Sequence, residues 1–128
     1  MSLAASTPVR VVFFLLAVAL LPACASSGPA APDLDPRLLG VWADLDGATH
    51  TISLADEGYA VGVVDSDGEV FDVVSVIYAD STLTWTYDVP STGYTVTYVT
   101  TSIRQDEITA RWENQTGASG DEVLTRQE

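Results

Sequence analysis

Apolar and polar residues alternate with a period of two along most of the chain after Pro36. In the segment Ser81–Val89, Leu83, Trp85 and Tyr87 fall on one face, with threonine residues between them. Such alternation, with many β-branched and aromatic residues, is typical of strands that bury one face. The pattern therefore predicts an all-β fold.

Two further segments show the same alternation, Tyr94–Ile103 and Asp106–Glu113. In the first of them, Val99 and Ile103 fall on the face opposite to Tyr98. A bulge adds one residue to a strand and changes the face on which the following side chains lie. We therefore expect this strand to bend or to contain a bulge.

Seven short segments rich in Asp, Asn, Ser and Gly separate the predicted strands. They are Asp44–Gly47, Ala55–Gly58, Asp65–Gly68, Ala79–Ser81, Pro90–Gly93, Arg104–Asp106 and Asn114–Gly117. Glycine, Asp and Asn allow the positive φ angles that tight hairpins need. These turns imply about eight short strands in an antiparallel up-and-down meander. Because a long meander exposes its edges, we expect it to form a small barrel that is closed or partly closed.

The chain begins with features of an exported protein. Val11–Leu21 is a run of eleven consecutive apolar residues, preceded by Arg10. As a helix it would span about 16 Å, whereas the hydrocarbon core of a bilayer is about 30 Å thick. A charged start and an apolar run of this length are typical of a secretory signal peptide, which we predict at residues 1–23.

The end of this run, Leu21-Pro22-Ala23-Cys24, resembles the lipobox of bacterial lipoproteins. The resemblance implies cleavage before Cys24, attachment of diacylglycerol to its sulfur and acylation of the new amino terminus. The alternatives are a signal peptide cleaved elsewhere and a cysteine buried in an ordinary helix. An acylated Cys24 would anchor the protein to a bilayer of the cell envelope. That bilayer would be the outer membrane of a Gram-negative cell or, on its outer face, the plasma membrane of a Gram-positive cell.

Composition divides the rest of the chain into a tether and a single domain. Residues 24–36 are rich in Ala, Ser, Gly and Pro, which predicts a flexible tether, and residues 37–128 form one domain. The formal net charge is −13, and it becomes −14 without residues 1–23, which hold one basic and no acidic residue. This sign excludes a nucleic-acid partner. The charge either keeps the protein soluble or selects a cationic partner.

A second resemblance involves Gly40-Val41-Trp42, which is similar to the G-x-W signature on the first strand of lipocalins and their small bacterial relatives. The resemblance implies that Trp42 closes one end of the barrel and packs against a basic residue of the last strand. Arg126 matches that residue by its order along the chain. The alternative is a core tryptophan that follows a glycine bulge.

Five aromatic residues are expected on the same side of their strands. They are Trp85, Tyr87, Tyr94, Tyr98 and Trp112. In a closed barrel that side is the interior, where large aromatic side chains with polar tips commonly line pockets for apolar ligands. The same residues also suit a solid core, which a small barrel favours at least as strongly.

Other candidate chemistry is sparse. Asp65, Asp67 and Glu69 offer the oxygen ligands that calcium prefers, but strand-like residues follow at once and the helix–loop–helix pattern is absent. We interpret them as a plain hairpin turn and expect neither a metal nor a cofactor. His50 is the only histidine and the chain has no lysine, so the usual nucleophile–base pairs lack support. We expect no enzymatic activity.

Three functional hypotheses follow for this envelope protein. The first is a monomeric binding module whose barrel holds a small apolar or amphipathic ligand. The second is an acidic interaction protein that engages a cationic protein, as lysozyme inhibitors do among small β-barrel envelope lipoproteins. The third is a structural envelope lipoprotein without a small ligand.

Overall fold

A computed structural model describes residues 33–128. This part of the chain contains one short 3-10 helix and eight strands. The elements are the helix Pro36–Leu38 and the strands β1 (Gly40–Ala43), β2 (Thr49–Ala55), β3 (Gly58–Val64), β4 (Val70–Ala79), β5 (Thr82–Asp88), β6 (Thr95–Ile103), β7 (Glu107–Asn114) and β8 (Ser119–Gln127). The predicted signal peptide, Cys24 and most of the predicted tether lie outside the described residues.

The strands form a closed barrel. Each strand pairs with the next in antiparallel orientation, and β1 also pairs with β8. Along β3 and β5 every second residue is buried, as the alternation in sequence requires. The structure confirms the predicted all-β meander of eight strands, its closure and the place of all seven turns between consecutive strands.

Strand β6 contains the expected bulge. Its pairing register with β7 shifts between Thr100 and Ser102. Ile103 lies beyond the shift, pairs with Ile108 and packs against the core. The bulge therefore lets residues on both sides of it contribute to the interior.

Because neighbouring strands run in opposite directions, the turns divide between the two ends of the barrel. One end carries the turns at residues 44–48, 65–69, 89–94 and 115–118, and we call it the acidic end. The other end carries the turns at residues 56–57, 80–81 and 104–106, together with both ends of the described chain. We call it the arginine end.

Trp42 closes the arginine end. Its side chain is fully buried, and its indole N–H donates a hydrogen bond of 2.9 Å to the carbonyl of Leu38. The guanidinium carbon of Arg126, on the paired strand β8, lies 4.2 Å from the centre of the indole ring. A cation over an indole face is attracted by the ring quadrupole, so the pair seals this end. The contact is the one that the resemblance to lipocalins implies.

Arg126 also joins three segments of backbone at this end. Its guanidinium donates to the carbonyls of Leu39, Arg37 and Gln105 at 2.7, 2.8 and 2.7 Å. Gly40 leaves room for it, since a Cβ there would lie 2.5 Å from the Nη1 atom, and its φ of +138° is rare for other residues. The glycine of the G-x-W segment is therefore required by both conformation and space.

The folded domain begins earlier than the predicted boundary at Arg37. Leu34 packs against the core, and the side chain of Asp35 accepts a hydrogen bond from the Arg37 backbone at the start of the 3-10 helix. The Tyr59 hydroxyl donates to the carbonyl of Asp35 at 2.7 Å. The last residues assigned to the tether thus belong to the barrel.

The barrel interior is filled by side chains. Ten of them are at least 98 % buried: Leu38, Trp42, His50, Ile52, Val63, Leu83, Trp85, Ile108, Ala110 and Leu124. Such packing resembles a solid core more than a cup. Within residues 33–128, every buried side-chain nitrogen and oxygen has a hydrogen-bond partner.

No helix within the described range 33–128 is long and apolar enough to cross a membrane.

The wall has one seam with little backbone pairing, between β3 and β4. These strands pair only through Val63 with Phe71 and Val64 with Val70, although both strands continue beyond these residues. On the inner side the rings of Tyr59 and Tyr78 meet edge to face with centroids 5.1 Å apart. The contact between these two rings thus takes the place of part of the backbone hydrogen bonding that β3 and β4 lack.

Candidate functional site

His50 connects the acidic end to the centre of the barrel. It lies on β2, is fully buried, and its Nε2 atom is 3.0 Å from Oδ2 of Asp44 in the preceding turn. The indole N–H of Trp85 donates to its Nδ1 atom at 3.2 Å. Because an indole nitrogen can only donate, Nδ1 must accept, and the proton of the neutral ring lies on Nε2. Both ring nitrogens are therefore engaged within the fold, and neither faces a hydroxyl nucleophile.

The carboxylate of Asp44 is held by three groups of its own turn and of β2. Besides His50, its carboxylate accepts hydrogen bonds from the backbone N–H groups of Asp46 and Ala48, at 3.0 and 2.9 Å. Its side chain is only 5 % exposed. Burial acts to raise the pKa of Asp44, but the hydrogen bond from His50 and these backbone donors outweigh burial and lower that pKa. An ionised carboxylate is therefore built into this turn.

Glu122 is a second buried carboxylate at the same end. It lies on β8, is 7 % exposed, and accepts from the Tyr98 hydroxyl at 2.5 Å and from the Leu45 backbone N–H at 3.2 Å. Burial raises the pKa of Tyr98, with further contributions from Tyr87 and from Glu122. Tyr98 thus remains a neutral donor to the carboxylate, and the turn at residues 44–48 is tied to β8 as well as to β2.

Further carboxylates surround this pair on the surface of the acidic end. Asp46, Asp65, Asp67 and Glu69 lie in the first two turns, which approach each other where Gly47 faces Ser66. No turn at this end contains a basic residue. Carboxylates that share one end without counter-charges add their fields and produce a strongly negative surface.

The basic residues lie elsewhere in the part of the chain that the structure describes. Arg37, Arg104 and Arg126 are at the arginine end, and Arg111 is on β7 in the barrel wall. Arg37 forms an ion pair with Asp35 at 2.7 Å, and Arg126 is occupied by backbone carbonyls. The arginine end also holds carboxylates, among them Asp56, Asp80 and Asp106, so the two ends differ in that the turns of the acidic end hold no basic residue.

Two groups of carboxylates bring oxygen atoms within 4.8 Å of one another, Asp44 with Asp46 and Glu122, and Asp65 with Asp67 and Glu69. In the second group, which the sequence analysis singled out, Asp65 and Asp67 accept hydrogen bonds from backbone N–H groups of the turn. Glu69 accepts from the Ser91 N–H across the acidic end. These bonds fit the interpretation as a hairpin turn.

Three of the five aromatic residues predicted to share one face lie in the interior. Trp85, Tyr87 and Tyr98 are 0, 5 and 4 % exposed, and the rings of Trp85 and Tyr98 stack with centroids 5.2 Å apart. Trp112 is half-buried and packs against the core near Gly120. The placement of Tyr94 was wrong: it precedes the start of β6 and is 44 % exposed, because the turn after β5 spans residues 89–94, one residue more at each end than predicted.

The two best-defined cavities of residues 33–128 lie outside the core. One is a groove of about 360 Å³ on the outer face of β6 and β7, lined by Thr97, Val99 and Arg111 among others. The other, of about 260 Å³, lies at the arginine end beside Arg37 and Tyr78. Neither is lined by the three interior aromatic residues.

Asp44 and Glu122 were not among the residues that sequence analysis selected. Asp44 looked like an ordinary turn residue. For Glu122 a signal existed, because alternation with the buried Leu124 places it on the inner face of β8. A carboxylate on an inward position is unusual enough to mark a polar network.

The chain matches no known protein-family model, and no curated protein is similar to it in sequence.

Proposed function

We propose that this barrel is the binding domain of a lipid-anchored envelope protein and that its acidic end docks a cationic protein. The observation that carries the proposal is a group of six carboxylates at one end of the barrel, apart from the arginines at the other end. Asp44, Asp46, Asp65, Asp67, Glu69 and Glu122 lie at one end, where no turn holds a basic residue.

The length of the barrel makes this separation effective in solution. A strand of seven residues such as β3 or β5 rises about 18 Å along the axis when tilted by about 40°. The Debye length at physiological ionic strength is about 8 Å. A partner at the acidic end is thus about two Debye lengths from Arg37, Arg104 and Arg126, whereas Arg111 in the wall is nearer and lies beside Asp121.

The path of the chain also supports docking at the acidic end. The described chain starts at the arginine end, where Leu34 and Asp35 contact the barrel. The nine residues from Cys24 to Pro32 reach at most about 30 Å. With Cys24 acylated, the arginine end would face the bilayer and the acidic end would face away from it, towards soluble partners.

The filled interior argues against the hypothesis of a small-ligand cup. Trp85, Tyr87 and Tyr98, which would have lined such a cup, contact one another and His50 instead. Their polar atoms and those of the rest of the described interior are already paired. A ligand would have to displace packed side chains and satisfied hydrogen bonds.

The partner that fits this end is a protein with a dense basic surface. Opposite potentials accelerate encounter and fix orientation, and the resulting binding weakens as salt is added. The buried carboxylates of Asp44 and Glu122 bind the backbone of the turn at residues 44–48 and would hold the exposed Asp46 in place for such a partner. Lysozyme is a basic protein of this kind and is a suitable probe.

The test compares two variants that remove the same number of charges. The first neutralises the acidic end with Asp46→Asn, Asp65→Asn, Asp67→Asn and Glu69→Gln. The control neutralises the arginine end with Asp56→Asn, Asp80→Asn, Asp106→Asn and Glu107→Gln. At about 0.5 kcal/mol per lost charge contact, the first variant should bind lysozyme roughly thirtyfold more weakly.

The control variant should lose only a few-fold in affinity, because its removed charges are far from the docked partner. Equal losses in the two variants would mean that net charge alone attracts lysozyme and that there is no docking end. Succinylated lysozyme, which has the same size and a reversed charge, should not bind the unsubstituted protein.

A further inference from the structure

One side of the barrel wall is almost free of charge. The outward positions of β2, β3 and β4 hold Thr49, Thr51, Ser53, Ala55, Gly58, Ala60, Gly62, Val64, Val70, Asp72, Val74, Ile77 and Ala79. Asp72 is the only charged residue among them. We call this surface the neutral wall. On the opposite side, β7 and β8 present Glu107, Arg111, Glu113 and Asp121 outward.

The neutral wall has a ridge beside a trough. Val70, Val74 and Ile77 of β4 are 68, 57 and 57 % exposed and form the ridge. From Gly58 to Gly62 the neighbouring strand β3 offers only small side chains outward, at Gly58, Ala60 and Gly62. Three exposed apolar side chains on one strand, beside this trough, form a contiguous apolar patch that is a candidate interaction surface.

Gly62 has no role within the barrel that would require a glycine. Six other described glycines have a positive φ between +72° and +138°, and Gly120 is crowded by the Trp112 ring. Gly62 has neither property: its φ is not positive, and a Cβ there would meet nothing within 4 Å. A glycine inside a strand weakens it and commonly marks a place where another chain approaches closely.

We infer that the neutral wall binds a second copy of this chain about a two-fold axis. In such a dimer the β4 ridge of each copy lies in the β3 trough of the other, with the side chains of Val74 and Ile77 against Ala60 and Gly62. A ridge and a trough side by side on one surface are self-complementary under two-fold symmetry, which is the property that an isologous contact needs.

The distribution of charge selects a second copy over the cationic partner of the acidic end. The neutral wall offers a basic protein only one carboxylate, that of Asp72. Two copies can approach here without bringing their other carboxylates together, whereas contacts through the ends or through β7 and β8 would oppose like charges. The two surfaces are therefore separate, and one barrel can use both.

The size of the wall predicts a weak dimer. Three strands about 4.8 Å apart and seven residues long cover roughly 340 Å² per copy, or about 700 Å² in total. Stable complexes bury about 1,200 Å² or more. Association should therefore appear only at high protein concentration in solution. Confinement of two copies to one membrane, which depends on the anchor of the proposed function, would raise the effective concentration.

The test is sedimentation equilibrium of the chain from Ala25 to Glu128, which contains the whole barrel and needs no anchor. We expect a monomer–dimer equilibrium that strengthens with added salt, opposite to the effect of salt on lysozyme binding. Asp72→Asn should strengthen the dimer several-fold, because it removes the one charge from the contact. This sign of the salt effect separates the dimer from the function of the acidic end.

Gly62→Val is the decisive variant, with Thr125→Val on the opposite wall as its control. Filling the trough should weaken the dimer at least tenfold without lowering the melting temperature, while Thr125→Val should leave the dimer unchanged. A melting temperature lowered by Gly62→Val would mean that β3 needs the glycine for its own bend, and would overturn the inference.

Two other results would also overturn the inference. One is a strictly monomeric Asp72→Asn variant at millimolar concentration and high salt. The other is a monomer that binds vesicles of zwitterionic lipid through the neutral wall, since a lipid surface would then be its occupant.

Discussion

Replacement of His50 by leucine tests whether the buried network supports the acidic end. Leucine has a similar volume, so the main loss is the pair of hydrogen bonds from Trp85 and to Asp44, at 3.2 and 3.0 Å. A buried neutral donor left without a partner costs about 1–3 kcal/mol, and a lost hydrogen bond to a charged group about 1.5–3 kcal/mol. The variant should therefore lose about 4 kcal/mol.

That loss is large for a domain of this size. The total stability expected for residues 33–128 is about 5–14 kcal/mol, at about 0.05–0.15 kcal/mol per residue. Since about 1 kcal/mol shifts the melting temperature of such a domain by about 4–8 °C, His50→Leu should melt roughly 15–30 °C lower. Differential scanning calorimetry of the two proteins measures the shift.

A double-mutant cycle identifies the source of the loss. Trp85→Phe removes the indole donor, so the two substitutions together should cost about 1 kcal/mol less than the sum of the single effects. Thr51→Val, on the exposed neighbour of His50, should change stability by less than about 0.5 kcal/mol. A His50→Leu variant that melts within about 5 °C of the original protein would refute the reasoning.

Three further outcomes are expected. Gly40→Ala should destabilise the barrel by about 2 kcal/mol in thermal melts, because φ is +138° and a Cβ would collide with Arg126. Burial raises the pKa of Tyr87 and Tyr98, and unfolded tyrosines ionise near pH 10, so urea midpoints should fall as pH rises above about 10. Because folding lowers the pKa of Asp44 from its ordinary value of 3.8, this residue contributes stability above pH 3.8 that is lost as the pH falls through the folded-state pKa. Asp44→Asn should therefore make the stability depend less on pH in this acidic range.

The sequence predicts most of the fold because its signals are local. In β5, from Leu83 to Tyr87, the sequence itself shows the alternation of buried and outward-facing residues. Each turn has its own Gly, Asp or Asn residues. The bulge of β6 was indicated by apolar residues on both faces of the strand, with Tyr98 on one face and Ile103 on the other. Closure of the sheet follows because a meander of this length otherwise leaves two edges exposed.

The site was less predictable because it depends on contacts between distant strands. The diameter of the closed barrel decides whether Trp85, Tyr87 and Tyr98 fill the interior, and alternation does not specify that diameter. Glu122 meets Leu45 across 77 residues of chain. The grouping of six carboxylates at one end becomes visible only when strand direction assigns each turn to an end.

The central claim is that a basic protein docks on the acidic end. Titration of the isotope-labelled barrel with lysozyme, followed by amide chemical shifts in NMR spectra, tests it most directly. We predict shifts concentrated in the turns at residues 44–48 and 65–69, which disappear at high salt. Shifts spread over the whole surface, or concentrated at the arginine end, would contradict the account.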